Sequence, residues 1–196
     1  SFYTVYFNVG NGVNEYDKRL NSATIDRVEP DGQQDELGHG LASENSNNGS
    51  FTSGTKTYYW RDAYGSDNAY FQYSLEVDKS NKNYLFVRYW GSDGPFTKNN
   101  VNYTRDFYIY IDDNQLAEQT LNNEKMNNAY DVFYEIPEEY TKDKDCVTVK
   151  FAPKSSTNCA GGVIEARITN DDLKCVKITA DYNDNGTLKN MDTEKI

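Results

Sequence analysis

The sequence is poor in positive charge and has no long apolar segment. Its 196 residues include 20 Lys and Arg against 31 Asp and Glu, a formal net charge of -11. Proteins that bind the phosphates of nucleic acids need clustered basic side chains, and no such cluster is present. No apolar run approaches the roughly 20 residues of a membrane-spanning helix. We therefore expect neither a nucleic-acid partner nor a membrane partner.

Cysteine and histidine, the residues of many metal and nucleophile sites, are also scarce. The chain has three cysteines, Cys146, Cys159 and Cys175, and one histidine, His39. None of the cysteines forms the Cys-x-x-Cys pair of zinc and redox motifs, which excludes a recognisable zinc site. Two interpretations stay open: one disulfide with a leftover thiol, or three buried thiols. No cysteine is predicted as a nucleophile, because lone cysteines are mostly small buried hydrophobes.

Tyrosine, by contrast, is abundant. The chain has 17 Tyr, against nine Phe and two Trp. Tyr forms strands well and is often half buried. It also presents a flat apolar ring with a polar tip, which suits sugar and protein surfaces. Composition does not separate the two interpretations, and only a cluster of exposed rings would indicate recognition.

A period of two dominates the middle of the chain. Phe107, Ile109 and Ile111 alternate with Tyr108 and Tyr110, the pattern of a half-buried strand. The same grounds predict strands at residues 2–9, 23–28, 58–61, 69–77, 84–90, 107–111, 115–121, 130–136, 147–151, 163–168 and 174–182.

Many short strands at regular spacing indicate an all-β fold, an antiparallel two-sheet β-sandwich of jelly-roll type. Residues 11–22 are predicted as a polar loop, and residues 33–57 as a long ordered loop or a short strand plus loop. We expect residues 1–170 to form the sandwich module. Residues 171–196 are expected to form a β-hairpin, either a strap or the start of a following module. Since the chain opens without an initiator Met or a signal segment, we expect a piece of a longer protein.

The C-terminal segment has two interpretations. Residues 181–186 (Asp-Tyr-Asn-Asp-Asn-Gly), with Asp192 six residues after the glycine, match the ligand spacing of a Ca²⁺ loop and resemble the loops of dockerin modules. A dockerin needs a second copy and a helix after each loop, which residues 193–196 do not supply. A hairpin around Asn185-Gly186 also explains the alternating apolar residues on both sides. The hairpin is therefore favoured, with a structural Ca²⁺ as the alternative cofactor prediction.

No pattern indicates catalysis. Glycoside hydrolysis needs two carboxylates that face each other across a cleft, but with 31 acidic residues the spacing selects no pair. A Ser/His/Asp triad would have to use His39, which lies between Gly38 and Gly40 without a nucleophile-elbow sequence nearby. We therefore predict no catalytic residue.

An ordered series of short motifs carries a family resemblance over roughly residues 20–170. The motifs lie at residues 35–41, 43–49, 60–63, 70–73, 88–93, 136–139 and 161–163. They resemble the β-sandwich accessory domain that follows the catalytic toroid of bacterial β-L-arabinofuranosidase-type glycoside hydrolases. In that family the zinc-bound cysteine nucleophile and its carboxylates belong to the helical domain, and no cysteine here matches a catalytic motif. The resemblance implies a non-catalytic module of a secreted or surface-attached bacterial protein that acts on plant or host glycans, with adjacent domains of the same polypeptide as partners.

Three functional hypotheses follow. The first is a carbohydrate-binding module in which exposed rings stack on sugars while polar side chains bind hydroxyls. The second is a structural module that supports an enzyme domain, and the third is a free-standing hydrolase with two acidic residues. The first predicts that aromatic rings are open to one groove, whereas the second predicts that the same rings are buried. The candidate ligand-binding residues are Trp60, Arg61, Tyr64, Trp90, Asp93 and Tyr103.

Overall fold

A computed structural model describes residues 2–7, 13–30, 34–174, 176–183 and 185–195. Strands dominate this part of the chain, and the three helices in it are short. The elements in chain order are β1 (Phe2–Phe7), α1 (Val13–Ala23), β2 (Thr24–Val28), α2 (Gln34–Gly38), β3 (Ala42–Glu44), β4 (Ser46–Ser53), β5 (Lys56–Tyr64), β6 (Tyr70–Glu76), β7 (Asn83–Trp90), β8 (Phe96–Lys98), β9 (Val101–Tyr103), β10 (Arg105–Ile111), β11 (Asn114–Leu121), β12 (Ala129–Ile136), α3 (Glu138–Thr141), β13 (Cys146–Pro153), β14 (Cys159–Thr169), β15 (Val176–Tyr182) and β16 (Leu188–Lys195).

Two antiparallel sheets form the sandwich. One has the strand order β11-β10-β13-β6-β3, and the other has the order β12-β7-β14-β5-β4 with β2 also paired to β14. The core lies between them, where Phe71, Leu85, Phe107 and Phe151 are fully buried. Burial of each such side chain stabilises the fold by about 1.5–3 kcal/mol. The predicted all-β, antiparallel two-sheet sandwich of jelly-roll type is confirmed.

The chain divides into two compact units. One comprises residues 24–171, and the other joins the residues up to 23 with those from 172 onward. In the second unit, β15 pairs with β1 on one side and with β16 on the other, both antiparallel. The Gly186 N–H donates to the Asn183 carbonyl at 2.9 Å and closes the turn between β15 and β16. The strands predicted around Asn185-Gly186 are therefore present as a hairpin, while a module boundary at residue 170 stays a prediction.

Two segments predicted as loops contain regular structure, although for the second the alternative of a short strand plus loop is met in part. The first, at residues 11–22, contains most of the helix α1. Most residues of this helix are polar, but Leu20 and Ala23 are buried. The second, at residues 33–57, contains α2, β3 and β4. β4 reads Ser-Asn-Asn-Gly-Ser-Phe-Thr-Ser and lies at the edge of its sheet, where few apolar side chains are needed. None of the helices in the described residues is long and apolar enough to cross a membrane.

Candidate functional site

An open cavity of about 260 Å³ lies where β7 ends and β10 begins. Four strands of the six-stranded sheet contribute to it, together with the loop after β7 and the first residue of β10. The cavity therefore brings together positions that are far apart in sequence. Its lining residues are Phe51, Trp60, Asp62, Trp90, Asp93, Arg105, Gly162 and Ile164.

Strand alternation places one tryptophan in the cavity. On β7, Leu85, Val87 and Tyr89 are fully buried in the core, so Trp90 at the end of the strand faces the other side of the sheet. There its ring meets Phe51 edge-on at a centroid distance of 4.7 Å and Tyr58 at 5.2 Å. Edge-to-face contacts of this kind fix the orientation of aromatic rings. Trp90 is thus part of an ordered aromatic wall and remains half buried.

The second tryptophan lies over a glycine. Trp60 on β5 is paired with Gly49 on β4. A Cβ atom at position 49 would lie 2.6 Å from the Cζ2 atom of the indole, so the ring occupies space that only glycine leaves open. Trp60 is half buried like Trp90, and both rings line the same cavity.

Arg105 connects the two carboxylates of the cavity. Its Nη1 atom lies 3.8 Å from Oδ2 of Asp62, and its Nη2 atom lies 3.7 Å from Oδ1 of Asp93. The guanidinium also donates to the carbonyl of Gly161 at 2.7 Å and to that of Gly94 at 3.2 Å. A side chain with this many partners has one geometry, so Arg105, Asp62 and Asp93 form a rigid polar wall in the same cavity as the aromatic rings.

Burial changes the acidity of both carboxyl groups. It raises the pKa of Asp62 to about 6, although Arg105 and a hydrogen bond from Asn47 act in the opposite direction. Burial also raises the pKa of Asp93, against the lowering effects of Arg105 and of the Gly162 N–H. Carboxylates that are largely shielded from solvent form stronger hydrogen bonds with hydroxyl donors, because water competes less. The cavity thus combines aromatic faces with acceptors and a fixed cation.

Gly162 leaves the floor of the cavity open. A Cβ atom at this position would lie 3.3 Å from Oδ2 of Asp93 and 3.5 Å from the Cβ atom of Trp60. Any other residue would project a side chain into this part of the cavity, so the glycine keeps the space between Asp93 and Trp60 free. Gly162 belongs to the motif at residues 161–163 that the sequence shows.

The structure brings together three of the six predicted ligand-binding residues. Trp60, Trp90 and Asp93 all line the cavity. Tyr64 and Tyr103 lie outside its lining, in a cluster around Phe96. Their ring centroids are 4.9 Å apart, and Tyr103 is buried.

Arg61, the sixth predicted residue, is directed into the protein. It is buried, and its Nη2 atom donates to Oε1 of Glu36 at 3.0 Å. The hydroxyl of Tyr73 donates to the same carboxylate at 2.6 Å. Because β5 alternates, Arg61 faces the core while its neighbour Trp60 faces the cavity. The guanidinium is therefore engaged in an interior ion pair, and the cavity wall does not include it.

The sequence interpretation missed Phe51, Asp62 and Arg105. Of these, Arg105 had a readable signal, since it lies two residues before Phe107 and in phase with the core face of β10. A charged side chain in phase with a buried face requires a partner, and carboxylates are the usual ones. Asp62 had no comparable signal, because only the fold brings β5 next to Arg105.

His39 has a structural role in the described part of the chain. Its Nδ1 lies 2.8 Å from the carbonyl oxygen of Asp35, and its Nε2 lies 3.1 Å from Oδ1 of Asp26. Burial lowers the pKa of this imidazole, but the interactions with Asp35 and Asp26 outweigh burial, and the pKa is raised overall. Both ring nitrogens are thus engaged in linking α2 to β2.

Two of the three cysteines lie in the part of the chain that the structure describes. Cys146 is exposed and Cys159 is buried, and both are free thiols. The interpretation of three buried thiols is therefore wrong. Burial raises the pKa of the Cys159 thiol well above its usual range, which disfavours the reactive thiolate. Cys175 lies outside the described residues.

The calcium interpretation stays a prediction. Asp184, the central residue of that loop, lies outside the described residues, as do the side chains of Asp181 and Asp192. Elsewhere, the described part of the chain contains no group of three His, Cys, Asp or Glu side chains that converges as a metal site.

Comparisons with known proteins support the fold. A family model described as "Family of unknown function (DUF6805)" matches residues 19–169. The comparison with curated proteins gives no match.

Solved structures with a similar fold include two carbohydrate-binding modules. A family 35 carbohydrate-binding module from an environmental isolate is 15% identical, with a TM-score of 0.52, and the match covers 74% of this chain and 93% of that one. A family 35 module from Clostridium thermocellum is 11% identical, with a TM-score of 0.50, and the match covers 74% and 99%. The ANX1 ectodomain of Arabidopsis thaliana is 11% identical, with a TM-score of 0.50 and coverage of 80% and 48%. At identities this low, the matches show a shared fold alone.

Proposed function

Since the chain belongs to DUF6805, a family of unknown function, we propose its role from the cavity itself: a non-catalytic carbohydrate-binding module. The observation that carries the proposal is that Trp60 and Trp90 are open to one cavity together with Asp62, Asp93 and Arg105. Sugar rings have apolar faces and hydroxyl edges, so they match a site with aromatic faces on one side and hydrogen-bonding groups on the other. The fold shared with carbohydrate-binding modules supports the same role.

The charges of the cavity favour a neutral sugar. Asp62 and Asp93 accept hydrogen bonds from hydroxyl groups, and Arg105 is held between them. A uronate would bring a third carboxylate next to two existing ones, and like charges repel more strongly where water is excluded. The chain as a whole is also acidic, with a net charge of -11. We therefore propose a neutral glycan as the ligand class.

The wider setting is also a proposal. The resemblance to the accessory domain of β-L-arabinofuranosidase-type enzymes supports a secreted multidomain glycoside hydrolase as the parent protein. In such a parent the module keeps a catalytic domain close to its polysaccharide and raises the effective concentration of substrate. A catalytic role for the cavity is not proposed, because the Arg105 guanidinium contacts both carboxylates where a hydrolase needs its substrate and water.

A structural module is the second candidate. The buried pair of Arg61 and Glu36 and the packed rings of Tyr64 and Tyr103 support it, because these residues hold the fold without reaching the cavity. In this case the sandwich orients a neighbouring enzyme domain and binds no sugar. The two candidates differ in one measurable property, the response of the two tryptophans to glycans.

Tryptophan fluorescence gives a direct test. The chain has two tryptophans, and both line the cavity, so any change in emission reports on this site. We would titrate the chain with neutral plant polysaccharides (arabinan, galactan, xylan) and repeat each titration on affinity gels with and without EDTA. W60A and W90A are the test variants. Y110A is the control, because Tyr110 is a half-buried ring on the five-stranded sheet.

The expected result is binding to one glycan class, lost in W60A and W90A and kept in Y110A. Removal of one stacked ring is expected to weaken binding by about 1–3 kcal/mol, roughly 5- to 150-fold. A loss of retention in EDTA would support the calcium prediction. No change in emission with any glycan would contradict the proposed function and favour the structural module.

A further inference from the structure

A second cavity adjoins the first. It has a volume of about 180 Å³ and shares Ile164 with the cavity of the two tryptophans. Ile164 is nearly fully buried and belongs to the lining of both spaces. Residues that line the second cavity include Lys56, Tyr58, Tyr59, Arg88 and Glu165.

Strands β5, β7 and β14 each contribute residues to both cavities. On β5, Tyr58 lines the second cavity and Trp60 lines the first. On β7, Arg88 and Trp90 are divided in the same way. Residues two apart on a strand face the same side and are separated by about 7 Å. The two cavities thus follow each other along one face of the sheet.

The aromatic wall continues from one cavity to the other. Tyr58 lines the second cavity, and its ring lies 5.2 Å from the ring of Trp90 and 5.3 Å from that of Phe51. Trp90 and Phe51 both line the first cavity. A chain of sugar rings that enters both cavities therefore meets aromatic rings in each of them.

We propose that the two cavities are consecutive subsites of one groove, which binds a glycan chain of at least two sugar rings. This inference rests on the proposed carbohydrate-binding function and extends it from a single ring to a chain. With two subsites, an oligosaccharide or polysaccharide chain is the preferred ligand, and a free monosaccharide is not.

The polar groups of the two subsites are complementary. The first subsite offers the carboxylate acceptors of Asp62 and Asp93. The second offers the donor Nζ of Lys56, which lies 4.9 Å from the centroid of the Tyr58 ring. Lys56 is exposed and forms no salt bridge within the part of the chain that the structure describes. Its amine is thus available to the hydroxyl and ring oxygens of a second sugar.

The test compares sugars of increasing length. The probes are neutral arabino-, galacto- and xylo-oligosaccharides of one to four residues, with tryptophan emission and calorimetry as readouts. K56A removes the donor of the second subsite and leaves the first unchanged. K150A is the matched control, because Lys150 lies 5.0 Å from the centroid of the Tyr70 ring on the other sheet.

For the wild-type chain we expect affinity to rise about tenfold from one residue to two, the equivalent of one added charge-assisted hydrogen bond or stacked ring. K56A is expected to lose most of this gain while its affinity for the single residue stays unchanged, and K150A is expected to behave like the wild type. Equal affinity for one and two residues would overturn the second subsite and leave the proposed function in place. No response to any sugar of any length would overturn both.

Discussion

Gly49 and Trp60 are register partners across β4 and β5, and the indole ring covers the position where a side chain at residue 49 would begin. The absence of one Cβ atom therefore determines where an aromatic wall of the cavity stands. Gly49 lies outside the cavity lining, so its effect on the site passes through the ring that it supports.

We predict that G49A displaces Trp60 and weakens glycan binding without unfolding the chain. The new Cβ atom would lie 2.6 Å from Cζ2 of the indole, so the ring must move. Overpacking of this kind costs about 1–3 kcal/mol of stability. Tryptophan emission and a glycan titration would measure the displacement. The control is G38A, because a Cβ atom at Gly38 meets nothing within 4 Å. Unchanged emission and affinity in G49A would show that the indole is held by other contacts.

Arg105 compensates the carboxylates of Asp62, which is buried, and Asp93, which is half buried, and its removal should affect both. We predict that R105M lowers the free energy of unfolding by about 2–4 kcal/mol, because Asp62 and Asp93 lose their shared cation. Glycan binding should be lost as well, since the polar wall loses its geometry. Urea denaturation and affinity gels would measure the two effects. K79M is the control, because the Lys79–Asp145 pair is exposed and screened by solvent, so its loss should leave stability nearly unchanged. An R105M chain as stable as the wild type would contradict the compensating role.

The raised pKa of Asp62 predicts a pH dependence of stability. Burial raises this pKa from 3.8 to about 6, so the folded state holds the proton more tightly than the unfolded state. The stabilisation from the protonated form is complete below about pH 4 and is lost as the pH rises through about 6. The charged groups that act on Asp62 are Arg105, Asp93 and Lys98.

D62N should remove this dependence. The free energy of unfolding of the wild type should fall relative to D62N between pH 4 and pH 7, by up to about 3 kcal/mol for a shift of this size. Urea denaturation at one-unit pH intervals would measure the difference. D113N is the control, because Asp113 is exposed at a turn. If the wild type and D62N gave parallel curves, the carboxyl group at residue 62 would not titrate in this window.

The sandwich could be predicted from the sequence because its core strands alternate strongly. In β10 the period of two separates Phe107 and Ile109 from Tyr108 and Tyr110, and burial follows this division. β4 was missed because an edge strand needs few apolar residues, so its sequence reads as a loop. Because β4 was not recognised, neither Phe51 nor Gly49, the partner of Trp60, could be placed next to the cavity.

The cavity could be predicted only in part. Trp60, Trp90 and Asp93 have residue types that suggest sugar binding, and the cavity contains them. The pairing of Asp62 with Arg105 depends on two strands of different sheets, and no local spacing encodes it. Arg61 was predicted as a binding residue because its guanidinium is next to Trp60 in sequence. The fold places it on the opposite face of β5, where it pairs with Glu36.

The ion pair of Arg61 and Glu36 predicts an effect on stability that is separate from binding. Glu36 is fully buried, and it receives hydrogen bonds from Arg61 and from the hydroxyl of Tyr73. R61M would leave an uncompensated carboxylate in the interior, so it should lower the free energy of unfolding by about 3–5 kcal/mol. The double variant E36Q/R61M should regain part of this loss, because the glutamine carries no charge.

The same variants separate a structural from a ligand-binding role for Arg61. Since the guanidinium faces the core, folded E36Q/R61M should bind glycan with nearly wild-type affinity, whereas W60A should not. Denaturation curves and tryptophan titrations on the same samples would measure both properties. A variant that lost affinity while keeping its stability would place Arg61 in the binding site. A loss of stability with affinity retained would confirm that β5 divides its two functions between faces, with the core on one side and the cavity on the other.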